Sequence, residues 1–279
     1  MRFLFLFACL ATTTTTLGAA AAPTTKPVRV YIFAGQSNMD GRGKKSDLVG
    51  ELARWAKPQA DVRIAYSNSD QRGPYATDGL VPLEPGFSVP PGTKERKLPG
   101  DTFGPEVSFG RAIADACPGE RIVLIKFSEG GTNLQNDWAP DKNKSLYPQF
   151  LAFVQKSLKS LSDAGETPQL AGVIWHQGES DAKLAEGEYQ KLLTAFIARV
   201  RTDLASPDLP FVIGEVYDNG KRDRVRAGQR ATAAALSNVK FASAENLKTS
   251  DNGTHFDAAS QIELGQRLAR ALIKESSRE

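Results

Sequence analysis

Ser37 stands in Gly35-Gln36-Ser37-Asn38-Met39, directly after the apolar run 28–34. A serine hydroxyl is a weak nucleophile near neutral pH and needs a base to take its proton. The chain has only two histidines, His176 and His255. His255 lies in the polar stretch Asp251-Asn252-Gly253-Thr254-His255-Phe256-Asp257, just ahead of a helical pattern, and is read as the base. His176 adjoins Trp175 at the end of a strand-like run and is read as a packed, hydrogen-bonded residue. A tetrahedral intermediate also needs donors for its oxyanion. Backbone N–H groups of Ser37 and of Gly130 or Gly131, in Ser128-Glu129-Gly130-Gly131-Thr132, can supply them. The side-chain amide of Gln177, in Trp175-His176-Gln177-Gly178-Glu179-Ser180-Asp181, is a third donor. Together these are the parts of acyl transfer through a serine.

Four separated segments can meet only if the fold carries them to one place. Strand-like runs occur at 28–34, 62–66, 122–127, 170–175, 211–216 and 239–242. Helix-like segments occur at 51–57, 106–116, 147–161, 188–204, 224–236 and 259–274. In the fourth, Leu192, Leu193, Phe196, Ile197 and Val200 recur at helical spacing, the mark of a core-facing stripe. Strand and helix in alternation predict a parallel sheet with helices on both faces. Such a sheet binds ligands beyond the carboxyl ends of its strands, where three of the four segments fall. The segment 67–103, rich in Gly, Pro and charge, interrupts the rhythm. A connection this long is either a wall over the serine or an insertion without a role.

The combination of GQSNM, GGT, WHQGESD and a late DNGTHFD resembles the SGNH-type esterases. Within them it is most similar to the sialate O-acetylesterase-like group, which includes carbohydrate acetyl esterases active on acetylated xylan. The resemblance covers nearly all of 23–279. It implies a three-layer, flavodoxin-like α/β fold, Ser37 as nucleophile and His255 as base. It also implies an oxyanion hole from Ser37, the Gly130-Gly131 loop and Gln177, with no metal or organic cofactor. The family places its acid three residues before the histidine, where this chain has Asn252. Asparagine carries no charge, so the acid falls to Asp251, with Glu179 the substitute. Asp257 is read as a helix cap. Substrate contact is assigned to Gln36, Asn38 and Trp138; for Trp138 the choice is between stacking on a sugar ring and capping the core.

The implied function is an exported esterase that removes acetyl groups from carbohydrate through an acetyl-enzyme. The alternatives are an SGNH esterase or lipase for non-sugar acyl chains, and a non-catalytic carbohydrate-binding protein on the same fold. Export is read from residues 1–22: Met1-Arg2, an apolar run over 3–11 and the small residues 18–22 form the pattern of a cleavable signal. Cleavage leaves 23–279 as one esterase domain, periplasmic or secreted. Cys117 is then the only cysteine, which excludes an intramolecular disulfide. With 35 Lys and Arg against 32 Asp and Glu, the charge of +3 does not point to a nucleic-acid partner. No run reaches the ~20 apolar residues of a membrane span. The basic stretch Lys221-Arg222-Asp223-Arg224-Val225-Arg226 is read as a solvated helix face. Two sequons, at Asn143 and Asn252, are weak matches, and the sugar and the oligomeric state are not legible.

Overall fold

The computed structural model describes residues 27–70, 73–90, 92–93, 97–251 and 253–276. The signal-like segment 1–22 and Asn252 lie outside them. The chain begins with β1 (Pro27–Gly35), which ends in the short helix α1 (Ser37–Asp40). Next come β2 (Gly43–Lys44), a 3₁₀ turn over Gly50–Ala56, β3 (Gln59–Asp70), β4 (Gly73–Ala76), β5 (Val81–Leu83) and β6 (Thr102–Phe103). From there helix and strand alternate: α2 (Glu106–Ala116), β7 (Arg121–Ser128), α3 (Tyr147–Asp163), β8 (Thr167–His176), α4 (Glu186–Asp203). The series closes with β9 (Phe211–Gly214), α5 (Asp223–Ala235), β10 (Val239–Ala242) and α6 (Ala258–Ser276).

The main sheet has the order β10-β9-β8-β1-β7-β3-β4. The strands from β10 to β3 run parallel, while β4 and β5 pair antiparallel with β3. β1 is central because both of its faces are buried. Val28, Val30, Ile32 and Ala34 enter one core, with Phe150 of α3 and Phe196 of α4. Tyr31 and Phe33, pointing the opposite way, enter the other, with Phe109 of α2 and Leu268 of α6. The period-2 alternation of a strand thus feeds two helical layers, and a strand buried on both faces reads as one continuous apolar run. This is the three-layer α/β sandwich that the alternation predicts.

Two differences from the sequence reading have simple causes. The 51–57 helix is a 3₁₀ turn that buries only Trp55, since one apolar anchor cannot support a longer helix against a core. The 67–103 segment is partly ordered onto the sheet: β4 and β5 lengthen it at β3, and β6 pairs antiparallel with β2 beside the turn at Ser37.

Candidate active site

The carboxyl ends of β1, β7 and β8 are level, with Gly35 opposite Ser128 on one side and His176 on the other. Gly35 has φ of 149°, and a Cβ there would lie 2.1 Å from the His176 carbonyl oxygen. Only glycine lets the chain turn this close to β8. Gln36 N–H donates to the same carbonyl at 3.0 Å, so the turn is pinned as it leaves the sheet. Ser37 follows as the first residue of α1. Its Oγ lies 3.1 Å from His255 Nε2, and His255 Nδ1 lies 2.6 Å from Asp251 Oδ2. A carboxylate can only accept, so Nδ1 carries the ring proton and Nε2 is left to accept from the serine.

The loop before α6 is wrapped around that carboxylate. Asp251 Oδ1 accepts the N–H of Thr254 at 2.8 Å and of His255 at 2.9 Å, while Oδ2 takes the ring. Gly253, at φ +86°, makes the turn. Its N–H returns to Asp251 O at 2.8 Å, and Ser250 N–H closes the loop on His255 O at 2.9 Å. Partial burial alone would raise the Asp251 carboxyl. The N–H donors of His255 and Thr254, followed by the ring, outweigh it and hold the group below the usual carboxylate value. Glu179 is not on this histidine; it accepts from Asn38 Nδ2 at 2.6 Å and lies 3.7 Å from His176 Nδ1. Asp257 caps α6 by accepting Ser260 N–H at 2.8 Å.

On the other side of Ser37, the chain leaves β7 with Glu129 N–H donating to Gly35 O at 3.1 Å. Gly130 is half-buried and Gly131, at φ +76°, is exposed. Gln177 does not stand beside them as an open donor. It is fully buried, and its Nε2 faces Thr132 O at 3.1 Å, Gln36 Oε1 at 3.2 Å and Asp181 Oδ2 at 2.5 Å. Two amide hydrogens are already outnumbered by three acceptors. Gln177 therefore supports the Gly130–Thr132 loop from beneath, and Asp181 helps by accepting Leu134 N–H at 2.9 Å.

The three residues assigned to substrate contact also need correction. Trp138 is fully buried, edge-on to Trp175 and Phe127, with Nε1 donating to Thr132 Oγ1 at 2.9 Å. Its apolar area fits the core better than solvent, and no face is left for a sugar. Gln36 is 2% exposed and spends Oε1 on Gln177 and on Gly178 N–H. Asn38 is fully buried and bonds to Glu179, Thr254 and Phe256. His176 is buried as expected: Nε2–H donates to Glu215 O at 3.0 Å, and burial lowers the ring below the ordinary histidine value.

Two features escaped the sequence reading. The stretch 221–226 is not simply a solvated face: Arg222 is 6% exposed and donates to Gly253 O at 3.1 Å, in the loop that carries His255. Arg226 pairs with the buried Glu215 at 3.0 Å. Behind the Ser37 turn lies a buried charge network. Asp40 accepts from Tyr66 OH at 2.6 Å, Ser128 Oγ at 2.9 Å, Ser88 Oγ at 3.0 Å and Arg42. Lys126, fully buried, donates to Asp40 O, Phe87 O and Glu106 Oε2 at 2.7–2.8 Å. Through Phe87 on Lys126 and Ser88 on Asp40, the network fastens part of the 67–103 segment to the turn at Ser37. The available signal was a lone lysine inside the apolar run Ile122-Val123-Leu124-Ile125-Lys126-Phe127.

Residues 27–274 match the family model described as a carbohydrate esterase, sialic acid-specific acetylesterase. A protein of Arabidopsis thaliana described as a "Probable carbohydrate esterase" is 28% identical over 259 residues, covering 88% of this chain and 91% of its own. A crystal structure from Arabidopsis thaliana superposes with a TM-score of 0.70 at 24% identity, covering 89% of this chain and 98% of that one. A carbohydrate acetylesterase of Xanthomonas citri superposes at 0.62 with 18% identity, covering 90% of this chain and 57% of that one. These two likenesses concern the fold.

Proposed function

Because this chain belongs to the carbohydrate esterase family of sialic acid-specific acetylesterases, we propose that it removes O-acetyl groups from carbohydrate through an acetyl-enzyme on Ser37. The observation that carries the reading is the continuous chain from Ser37 Oγ to His255 Nε2 at 3.1 Å and from His255 Nδ1 to Asp251 Oδ2 at 2.6 Å. In this mechanism Ser37 Oγ attacks the acetyl carbonyl as His255 Nε2 takes its proton. The N–H groups of Ser37 and of Gly130 or Gly131 receive the oxyanion. Asp251, held ionised by its loop, stabilises the imidazolium. The ring then protonates the departing sugar oxygen. Water, deprotonated by the same nitrogen, attacks the acetyl-Ser37 ester, and collapse of that intermediate releases acetate and restores the hydroxyl. Gln177 serves here by supporting the donor loop. Residues 1–22 are assigned to export and 23–279 to one esterase domain.

The test is acetate release from acetylated xylan and from O-acetylated sialic acid. Ser37→Ala is expected to lose activity by several orders of magnitude with an unchanged fold, and a serine-directed phosphonate is expected to label Ser37 alone. Full activity in the alanine variant, or turnover of long-chain acyl esters with none of acetylated sugars, overturns the reading.

A further inference from the structure

The residue after the nucleophile binds the site together from inside. Asn38 Oδ1 accepts Phe256 N–H at 3.0 Å, and its Nδ2 donates to Thr254 O at 2.9 Å. Thr254 and Phe256 flank His255, so one buried amide grips the base loop on both sides of the base. The second Nδ2 hydrogen goes to Glu179 Oε1 at 2.6 Å. A primary amide has two donors on one end and an acceptor on the other. With Glu179 and Thr254 O both accepting, the amide can sit only one way round. Turned over, it would set oxygen against the Thr254 carbonyl and a donor against the Phe256 N–H.

We propose that Glu179 is a positioning residue for the base: acting through Asn38, it holds His255 in the register that gives the 3.1 Å contact with Ser37. Three observations point away from a structural carboxylate of no consequence. Glu179 is buried, at 8% exposure, yet pairs with no lysine or arginine among the described residues. Its other oxygen, Oε2, has no hydrogen-bond partner there. Its one short bond is aimed at the residue next to the nucleophile. Gly178, at φ +145°, turns the chain after β8 so that Glu179 falls beneath α1; a Cβ at Gly178 would meet Val225 Cγ1 at 2.6 Å. What Asn38 needs from position 179 is an acceptor, which a carboxylate or an amide oxygen can provide.

The inference rests on the esterase reading, and its test separates the two. Steady-state rates on 4-nitrophenyl acetate would be compared for wild type, Asn38→Ala, Glu179→Ala, Glu179→Gln and the double alanine variant. A base displaced by an ångström costs about 10²-fold in kcat. Each alanine variant is expected to lose about that much with little change in KM. The double variant is expected to lose about 10²-fold as well, because one path serves both residues. Glu179→Gln is expected to stay near wild type. Exchange of the Phe256 N–H, which bonds Asn38 Oδ1, is expected to quicken in both single alanine variants. Losses that multiply in the double variant, a normal kcat in Glu179→Ala, or Glu179→Gln as impaired as Glu179→Ala would overturn the proposal. An inactive wild type would defeat the esterase reading, and the Phe256 exchange would still decide the positioning. If Glu179→Ala does not fold, Glu179→Leu, which fills most of the volume and carries no acceptor, takes its place.

Discussion

Asp251 reaches the ring of His255 across four residues, at 2.6 Å, because its other carboxylate oxygen gathers the N–H groups of Thr254 and His255. The extra residue relative to the family pattern is taken up by the turn at Gly253. One carboxylate thus shapes the loop and orients the His255 ring at the same time.

This relationship separates two variants. Asp251→Asn keeps the size of the side chain but offers the ring an N–H, favouring the wrong tautomer. Its kcat is expected to fall about 10⁴-fold, as in serine-protease triads. Glu179→Gln, which leaves Asn38 its acceptor, is expected to remain near wild type. Measured kcat on acetylated xylan checks both, and equal losses would remove Asp251 from the triad.

Gln177 provides a second test, because a donor and a support differ in what else they do. Gln177→Ala removes the amide donor that Thr132 O faces and one of the two donors to Asp181 Oδ2, with Leu134 N–H remaining. Unpaired buried groups cost about 1–3 kcal/mol each. The variant is therefore expected to lose thermal stability as well as kcat. Thermal melts decide: a lower kcat with an unchanged Tm would restore Gln177 as a direct oxyanion donor.

The charge network behind Ser37 is expected to make stability depend on pH. Burial alone would raise the Asp40 carboxyl, but Arg42, Lys126 and the Tyr66 hydroxyl outweigh it and lower it. A lowered folded value gives stability that is present above the unfolded carboxylate value of about 3.9 and is lost as pH falls through the folded one. Asp40→Asn is expected to cost about 3–5 kcal/mol at neutral pH, the usual result of removing one partner from a buried ionic group. The gap to wild type should narrow as pH falls below the unfolded value, where the unfolded chain takes up the Asp40 proton before the folded one does. Denaturant midpoints between pH 7 and pH 3 measure it, and a gap independent of pH would refute it.

Trp138 distinguishes core from subsite. Trp138→Phe removes buried ring volume and the bond to Thr132 Oγ1, and is expected to destabilise by about 1–3 kcal/mol. KM for an acetylated oligosaccharide should not move. A raised KM with normal stability would return Trp138 to the sugar.

Much of this was legible in the chain. The alternation of strands and helices gives a parallel sheet, and a parallel sheet delivers the ends of its strands to one edge. Ser37, Gly130, Gly131 and Gln177 follow directly from that geometry. With two histidines in the sequence, one beside Trp175 at a strand end, His255 was the natural candidate for the base. These inferences rest on local periodicity and chain direction, which the order of residues carries.

The rest was decided where several acceptors compete for one donor. Asp251 and Glu179 are both carboxylates near the site, and only the course of the 251–255 loop determines which one meets the ring. Gln177 and Trp138 carry polar atoms suited to a cleft, but the folded chain surrounds them with Asp181, Thr132 and aromatic rings. Arg222 reads as a surface charge in the sequence and Lys126 only as a lone lysine within an apolar run, yet each is buried against carbonyl oxygens from distant segments. Residue type establishes what a side chain can bond to. Its actual partner is the one that packing brings within about 3 Å, and that is a property of the tertiary structure alone.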